Sequence, residues 1–443
     1  MQFSHISTAP VIDLPFISTV SVIGIGYIGL PTAALLASQK MNVIGVDISR
    51  HIVETINKGA IHIVEPELGE IVNKVVTAGC LRAVTKPEPA DAFLITVPTP
   101  FKSNHEPDLS YVKAASEAIA PVLKKGDLLI LESTSPVGTT EKMTQWMAAM
   151  RPDLVFPRPG IERVEVNVAY CPERVLPGHI MRELVENDRI IGGMTPECSR
   201  RAAQLYRTFV KGKLLVTSPR MAEMCKLTEN TFRDVNIAFA NELSVICHKL
   251  DIDVWELIRL ANHHPRVKIL QPGTGVGGHC IAVDPWFIID KAPREAKMIR
   301  MARNINNRKP RWVIERLNEK INTILRDQSF GASSKLTVAV LGLAFKPNID
   351  DLRESPALYI AEHLAANFRG KLLYVEPNIK NLPPSLVGGE LTDLETALAN
   401  ADLVLVLVAH REFQDLHMKL STHHKIIDAV GITKHRKALK VSV

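Results

Sequence analysis

A glycine-rich turn between a short apolar strand and an Ala/Leu-rich helix constrains the fold of this chain more than any other feature. Residues 19–24 predict a buried strand, and Gly24-Ile-Gly26-Tyr27-Ile28-Gly29 follows it, before a helix that extends to about Gln39. A second predicted strand over 41–47 ends in Asp47. Two parallel strands joined by a crossover helix form a βαβ unit, so the chain opens as an α/β protein.

The residues of this turn indicate a dinucleotide-binding site. The first glycine allows the tight turn, the second lets the backbone approach a pyrophosphate, and the third lets helix and strand pack closely. A carboxylate at Asp47 accepts ribose hydroxyls and repels a 2′-phosphate, which favours NAD over NADP. Thr99 and Thr134 follow two further predicted strands at the same sheet edge and are candidate cofactor contacts. An ordinary turn is the alternative for each of these features taken singly.

Strand-like and helix-like segments alternate in two separate parts of the chain. The stretch between these parts has no good strand over 219–265, and 222–249 has helical periodicity. We therefore predict an α/β protein with two Rossmann-like, doubly wound domains joined by a helical middle domain. The predicted divisions are an N-terminal extension at 1–18, an NAD-binding domain at 19–215, a helical dimerisation domain at 216–325 and a UDP-binding domain at 326–443, which begins with a polar linker at 326–335.

Composition excludes several classes of protein. The net charge of +6 is spread over 443 residues without a basic cluster, so no nucleic-acid partner is predicted. The longest fully apolar run, 403–409, is far shorter than the roughly 20 residues of a membrane helix. The first 18 residues contain no Lys or Arg, and the six cysteines form no CxxC pair. We expect a cytoplasmic protein with neither a disulfide framework nor a metal site.

The most informative segment is Gly273-Thr-Gly275-Val-Gly277-Gly278-His279-Cys280-Ile-Ala-Val-Asp284. Four glycines before a cysteine predict a loop that the backbone of another segment or a ligand can approach closely. A thiol on such a loop can reach a bound electrophile, so Cys280 is a candidate nucleophile. Most cysteines are inert small hydrophobic residues, which is the interpretation for Cys171, Cys198, Cys225 and Cys247.

Lys226, Asn230 and Arg233 lie on one face of a predicted helix, because they are spaced at i, i+4 and i+7. A lysine, an amide and a guanidinium that converge in this way can stabilise an oxyanion and hold a diphosphate-linked sugar. The alternative is a solvated polar face without a ligand.

Five segments in order resemble the UDP-sugar 6-dehydrogenase family, the UDP-glucose and UDP-mannose-type dehydrogenases. They are Gly24–Gly29, Tyr170–Gly178, the helix with Lys226 and Asn230, Gly275–Asp284 and Leu341–Pro356. Within the family, Pro-Glu-Arg-Val-Leu-Pro-Gly and Gly-Gly-His-Cys-Ile-Ala-Val-Asp-Pro-Trp are similar to the branch that acts on UDP-N-acetyl-D-mannosamine. The resemblance implies a four-electron oxidation of the C6 alcohol to a carboxylate with two NAD reduced in turn, through a thiohemiacetal and a thioester on Cys280.

The resemblance also implies roles for individual residues. Lys226 and Asn230 would stabilise the oxyanion, and Glu173 and Asp284 would position or activate water. Arg353 would join the cofactor side, together with the glycine turn, Asp47, Thr99 and Thr134. Arg266 would reach across the interface of a homodimer built on the helical domain, and a charged helix end is the alternative for His264 and Arg266. The implied substrate contacts are Arg174, Val175, Lys226, Asn230, Arg233, His264, Arg266, Gly277, Phe345 and Lys346.

Three alternatives remain open at this stage. A UDP-N-acetylglucosamine 6-dehydrogenase would use the same chemistry and differ only in the sugar pocket. A non-catalytic nucleotide-sugar binding protein would not need the Cys280, Lys226 and Asn230 set, which is present. A two-electron β-hydroxyacid dehydrogenase would need neither Cys280 nor a third domain.

Overall fold

The computed structural model describes residues 16–326 and 336–433, apart from 103, 162, 177 and 422. Residues 1–15 of the predicted extension and residues 327–335 of the predicted linker lie outside the described residues. Arg326, placed in the linker by sequence, is instead the last residue of a helix. The chain divides into two compact units, the first ending at Thr228 and the second beginning at Glu229.

The first unit contains an eight-stranded sheet in the order β3-β2-β1-β4-β5-β6-β7-β8. All neighbouring strands are parallel except β6 and β7. Its strands are β1 Thr19–Ile23, β2 Asn42–Val46, β3 Leu81–Val84, β4 Ala92–Ile95, β5 Leu128–Leu131, β6 Asn167–Tyr170, β7 Arg189–Gly193 and β8 Leu214–Thr217. Its helices are α1 Gly29–Ser38, α2 Arg50–Asn57, α3 Leu68–Thr77, α4 Ser110–Ile119, α5 Thr139–Met150, α6 Ile180–Glu186 and α7 Pro196–Tyr206, with a 3-10 turn at Ala120–Val122.

The strands of this sheet alternate between two apolar cores, one on each face. Val20 and Val22 of β1 point into the first core, while Phe93 and Ile95 of β4 point into the second. Burial on both faces is the property of a doubly wound parallel sheet, and it explains the continuous apolar runs in the sequence. The strand order reverses direction at β1, so the crevice for a ligand opens at the carboxyl ends of β1 and β4.

Helix α8, Pro219–Lys249, begins in the first unit and continues into the second. The other helices of the second unit are α9 Val254–Ala261, α10 Asp284–Lys291, α11 Lys297–Arg326, α12 Pro356–Asn367, α13 Leu394–Asn400 and α14 Leu416–Lys419, with a 3-10 turn at Arg411–Phe413. In the described part of the chain, no helix combines the length and apolar character needed to cross a bilayer.

The second unit also contains a five-stranded parallel sheet in the order β11-β10-β9-β12-β13. Its strands are β9 Thr337–Leu341, β10 Lys371–Val375, β11 Glu390–Leu391, β12 Leu403–Val406 and β13 Lys425–Asp428. Val338 and Ala339, neighbours on β9, enter opposite cores, so this sheet is also covered on both faces. Its strand order reverses at β9, which puts a second crevice at the carboxyl ends of β9 and β12.

Candidate active site

The glycine turn after β1 is held by close backbone contacts. Gly24 has a φ of +92°, and the Thr96 hydroxyl donates to its carbonyl oxygen at 2.6 Å. A Cβ on Gly29 would lie 1.9 Å from the Gly24 oxygen, so any side chain there would push α1 away from the turn. The third glycine is therefore required by the packing of helix on strand.

Gly26 differs from Gly29, because a Cβ on it would meet no atom of the described residues within 4 Å. The protein's own packing does not demand this glycine, whereas a pyrophosphate approaching the backbone does. Tyr27 is exposed and Ile28 caps α1, whose N-terminus presents backbone N–H groups to an anion. Asp47 is half-buried at the end of β2, where its Oδ1 accepts from Ser49 N–H at 2.9 Å. These residues fit NAD.

The two threonine loops predicted to line the crevice contact each other. The Thr99 hydroxyl donates to the Thr134 carbonyl oxygen at 2.5 Å, and the Ser133 hydroxyl donates to the Val97 oxygen at 2.7 Å. Both bonds join the loop after β4 to the loop after β5. The structure thus brings both loops together at the carboxyl edge of the sheet.

Lys226 and Glu173 form a nearly buried ion pair in the first unit. Lys226 Nζ lies 3.9 Å from Glu173 Oε2, and their side chains are 9% and 13% exposed. A solvated polar face, the alternative left open for Lys226, is excluded by this burial. Val175 N–H donates to Glu173, and the Arg174 guanidinium donates to the Asp188 carbonyl oxygen at 2.9 Å. The segment with Glu173, Arg174 and Val175 is therefore held by its own bonds.

The same domain contains a buried charged cluster of Glu132, Arg189 and Tyr206, which the sequence did not predict. Glu132 accepts hydrogen bonds from Arg189 and, at 2.5 Å, from the Tyr206 hydroxyl, and the Arg189 guanidinium lies 4.1 Å from the Tyr206 ring centroid. Burial raises the pKa of Glu132, and the nearby Arg189 charge opposes that rise. Burial also raises the pKa of Cys171 to about 12, as expected of an inert thiol. The sequence did contain a signal for this cluster, because Arg189 is a charged residue in the otherwise apolar strand β7.

Cys280 lies on a tight turn at the start of α10 in the second unit. Its carbonyl oxygen accepts from Val283 N–H at 3.0 Å and from Asp284 N–H at 2.9 Å. Cys280 is exposed, whereas Cys171, Cys198 and Cys247 are buried. Cys280 is therefore accessible on a turn whose backbone is fixed at the start of α10.

Asn230 joins Asp284 to Arg233 within the same unit. Its Nδ2 donates to Asp284 Oδ2 at 2.5 Å, and its Oδ1 accepts from the Arg233 guanidinium. Asn230 and Asp284 are 1% and 3% exposed, while Arg233 is exposed. The two bonds fix the orientation of the amide, since its oxygen and nitrogen have different partners. Asp284 is the first residue of α10, so the amide is tied to the turn that holds Cys280.

The glycines before Cys280 pack against the segment after β9. A Cβ on Gly277 would lie 2.2 Å from the Glu354 oxygen, and one on Gly278 would lie 2.7 Å from the Phe345 ring. Gly278 also has a φ of +80°. These close contacts explain why the loop needs glycine and bring Phe345 beside it.

The other predicted site residues of the second unit are Lys346, Arg353, His264 and Arg266. Lys346 Nζ is 6.0 Å from the Phe345 ring centroid. The Arg353 guanidinium donates to both carboxylate oxygens of Asp351, at 2.9 and 2.7 Å, and His279 Nε2 is 3.5 Å from Asp351. Burial raises the pKa of Asp351, but the bonds from Arg353 outweigh it and the pKa lies below its usual range. His264 and Arg266 are exposed on the turn after α9.

Comparison with known protein families covers most of the chain. Three models match in order, all described as parts of the UDP-glucose/GDP-mannose dehydrogenase family. They are its NAD binding domain at residues 18–210, its central domain at 220–308 and its UDP binding domain at 339–435.

Individual relatives agree with these models. A UDP-N-acetyl-D-mannosamine dehydrogenase from Escherichia coli strain K12 is 59% identical over 94% of this chain and 99% of its own length. An NDP-N-acetyl-D-galactosaminuronic acid dehydrogenase from Ralstonia nicotianae is 58% identical over 95% and 97%. The solved UDP-D-ManNAc dehydrogenase from Pyrococcus horikoshii superimposes with a TM-score of 0.83 at 39% identity, covering 94% of this chain and 96% of that one.

The predicted resemblance, the NAD cofactor and the architecture of two Rossmann-like domains with a helical central domain are confirmed by these findings. The chain belongs to the UDP-glucose/GDP-mannose dehydrogenase family and is an NAD-dependent UDP-sugar dehydrogenase with an NAD-binding, a central and a UDP-binding domain.

Proposed function

We propose that this enzyme oxidises the C6 alcohol of UDP-N-acetyl-D-mannosamine to the carboxylate. Each turnover converts the alcohol, two NAD and one water into the carboxylate, two NADH and three protons. The observation that carries the proposal is the exposed Cys280 thiol on its turn at the start of α10, beside the bonded pair of Asn230 and Asp284. A dehydrogenase that stopped at the aldehyde would not need this thiol.

Cys280 retains the half-oxidised substrate in this mechanism. After the first oxidation the thiolate adds to C6 of the aldehyde, and the aldehyde oxygen takes up a proton to give a thiohemiacetal. The second oxidation removes a hydride from C6 and a proton from that hydroxyl, which leaves a thioester. Water then attacks C6, the C–S bond breaks, and the thiol is regenerated with the free carboxylate. When bound at the glycine turn after β1, NAD would supply the hydride acceptor for each oxidation.

The surrounding polar groups suit the charges that develop. Asn230 Nδ2 uses one hydrogen for Asp284, and its second hydrogen is suited to an oxyanion at C6. We assign the Lys226 ammonium to the same oxyanion and to proton transfer. We assign Glu173 and Asp284 to positioning the hydrolytic water, because a carboxylate accepts the protons that water must lose.

The sugar specificity is inferred from two sequence segments. Relatives named for N-acetylmannosamine and for N-acetylgalactosaminuronic acid are 59% and 58% identical to this chain, so identity alone does not separate the two sugars. The Pro172–Gly178 segment and the Gly277–Trp286 segment favour the mannosamine branch. We assign Arg174, Val175 and Arg233 to the sugar and diphosphate, Gly277, Phe345 and Lys346 to the nucleotide side, and Arg353 to the cofactor side.

The test is NADH formation, followed by absorbance, with separate UDP-sugars. We expect two NADH for each UDP-N-acetyl-D-mannosamine and little turnover of UDP-glucose, UDP-N-acetylglucosamine or UDP-N-acetylgalactosamine. A preference for the galacto sugar would move the enzyme to the function of its Ralstonia relative. Absence of NADH with every sugar would support the non-catalytic alternative.

A substitution at Cys280 tests the covalent step. We expect Cys280→Ser to lose overall turnover by at least about 100-fold while NAD affinity is retained, because a hydroxyl is a much weaker nucleophile than a thiolate. Cys80→Ser is the matched control, since Cys80 is a half-buried thiol near β3 in the other unit. Undiminished turnover of Cys280→Ser would remove the thiol from the mechanism.

We further propose a homodimer, in which Arg266 reaches the partner's site; His264 stays a proposed substrate contact. The support is an exposed apolar stripe on α8, where Phe232, Phe239 and Ile246 recur at seven-residue spacing and are 66%, 50% and 45% exposed. A helix face of this kind is stabilised by burial against a second apolar surface. Light scattering should give twice the chain mass for the wild type and less for Phe239→Glu. We also propose a cytoplasmic location.

A further inference from the structure

The second Rossmann-like sheet contains an internal carboxylate at the end of β10. Glu376 Oε2 accepts from the backbone N–H groups of Leu343 and Ala344 at 2.7 and 3.0 Å, directly after β9. Burial raises the pKa of Glu376, but the bonds from His410 and the backbone outweigh this and the pKa lies below its usual range. An ionised Glu376 thus occupies the N–H groups at the crevice between β9 and β12.

His410 lies fully buried at the same crevice, just after β12. Its Nε2 is 3.0 Å from Glu376 Oε2, and its Nδ1 is 3.0 Å from the backbone nitrogen of Asn348. A backbone N–H only donates, so Nδ1 must be the acceptor. The ring hydrogen is then on Nε2, where it donates to Glu376.

Asn348 is the end of the segment that carries the proposed nucleotide contacts. It has a φ of +62°, and its Oδ1 accepts from Arg411 N–H at 2.9 Å. The segment 345–348 and the segment 410–411 are therefore joined by two bonds of opposite direction. At the other end of the segment 345–348, Phe345 N–H donates to the backbone carbonyl oxygen of Asp351 at 3.2 Å, and the Phe345 ring lies against Gly278.

We infer that His410 is a positioning residue for nucleotide binding: its Nδ1 lone pair holds Asn348 and thereby fixes Phe345 and Lys346 in the conformation that receives the uridine diphosphate. This inference rests on the proposed function, which assigns the nucleotide to Phe345 and Lys346. Glu376 acts through His410, because its carboxylate keeps the ring hydrogen on Nε2 and leaves Nδ1 as the acceptor.

Two substitutions of similar size separate this role from simple packing. In His410→Asn the amide oxygen reaches the position of Nδ1, so the acceptor for Asn348 is kept. In His410→Gln the amide reaches the position of Nε2, so the bond to Glu376 is kept and the acceptor for Asn348 is lost. His363→Gln on α12 serves as a control for the change of residue type.

The measurement is the affinity of each full-length variant for UDP and for NAD by titration calorimetry, with the melting temperature of each recorded. We expect His410→Gln to weaken UDP binding about tenfold, as for the loss of one hydrogen bond in a binding segment. We expect His410→Asn to retain most of the UDP affinity, and NAD affinity to be the same in all proteins. The KM for the UDP-sugar should rise with the UDP dissociation constant, while kcat changes little.

The outcomes are distinguishable. Equal loss of UDP affinity in both His410 variants would overturn the inference, since it would indicate packing alone. UDP binding by His410→Gln as tight as that of the wild type would also overturn it. If the wild-type enzyme itself does not bind UDP, the proposed function fails first, independently of His410.

Discussion

Lys309 is a buried amine whose removal should stabilise the enzyme. The residue lies on α11 and is 4% exposed. Its Nζ donates to the Ser244 hydroxyl and lies 4.0 Å from the Trp312 ring centroid. Among the described residues, no carboxylate forms an ion pair with it, and burial lowers its pKa from 10.5 to about 7.

The lowered pKa of Lys309 determines the size and the sign of its effect on the free energy of unfolding. Above pH 10.5 the amine is neutral in both states, and as the pH falls towards 7 the unfolded chain binds a proton that the folded chain does not. The free energy of unfolding therefore falls over this window, by about 4 kcal/mol near pH 7.5. Lys309→Met avoids this loss, and after about 1–2 kcal/mol for the lost hydrogen bond to Ser244 we expect it to be more stable by about 2 kcal/mol.

Equilibrium urea unfolding, followed by tryptophan fluorescence, tests this at two pH values. The difference in free energy of unfolding between Lys309→Met and the wild type should shrink by about 2.5 kcal/mol between pH 7.5 and pH 9.5. Over this range the unfolded chain loses most of its advantage in proton binding. Lys297→Met, at an exposed lysine of the same helix, should differ little from the wild type at either pH. An advantage that does not change with pH would refute the assignment of the effect to proton binding.

Three further predictions concern the sites described above. Gly29→Ala should raise the dissociation constant for NAD about 10- to 100-fold in a fluorescence titration, because overpacking costs about 1–3 kcal/mol; unchanged affinity would show that α1 can move. Asp47→Ser should increase the ratio of NADP to NAD turnover about tenfold, through loss of the charge that repels a 2′-phosphate; an unchanged ratio would show that Asp47 does not select the cofactor. Iodoacetamide should alkylate Cys280 before Cys171 or Cys198 in the native enzyme, as read by peptide mass spectrometry; earlier labelling of either buried thiol would contradict their burial.

Local features of the sequence predicted local structure well. The glycine turn, its flanking strand and α1 follow from spacing alone, since the close approach of Gly29 to the Gly24 oxygen lies within one βαβ unit. The long helix with Lys226 and Asn230 was also predictable, and α8 extends three residues further towards the N-terminus than its predicted start at 222. In these cases the determining contacts join residues that are close in sequence.

Contacts between distant segments could not be predicted in the same way. Arg189 and Glu132 are 57 positions apart, and His410 and Asn348 are 62 apart, so only the strand order brings each pair together. The sequence identified Asn230 and Asp284 as separate candidates but could not show their bond across 54 positions. The roles of the predicted site residues, and the domain boundaries, stay predictions.

The Glu376 carboxylate limits which backbone donors the second sheet can offer to a ligand at its crevice. A carboxylate of the chain itself accepts from the Leu343 and Ala344 N–H groups at the strand-order reversal, so these two donors are already satisfied. The second sheet thus keeps the strand order of a dinucleotide-binding fold while two N–H donors at its crevice are unavailable to a bound phosphate, which fits its match to a UDP binding domain.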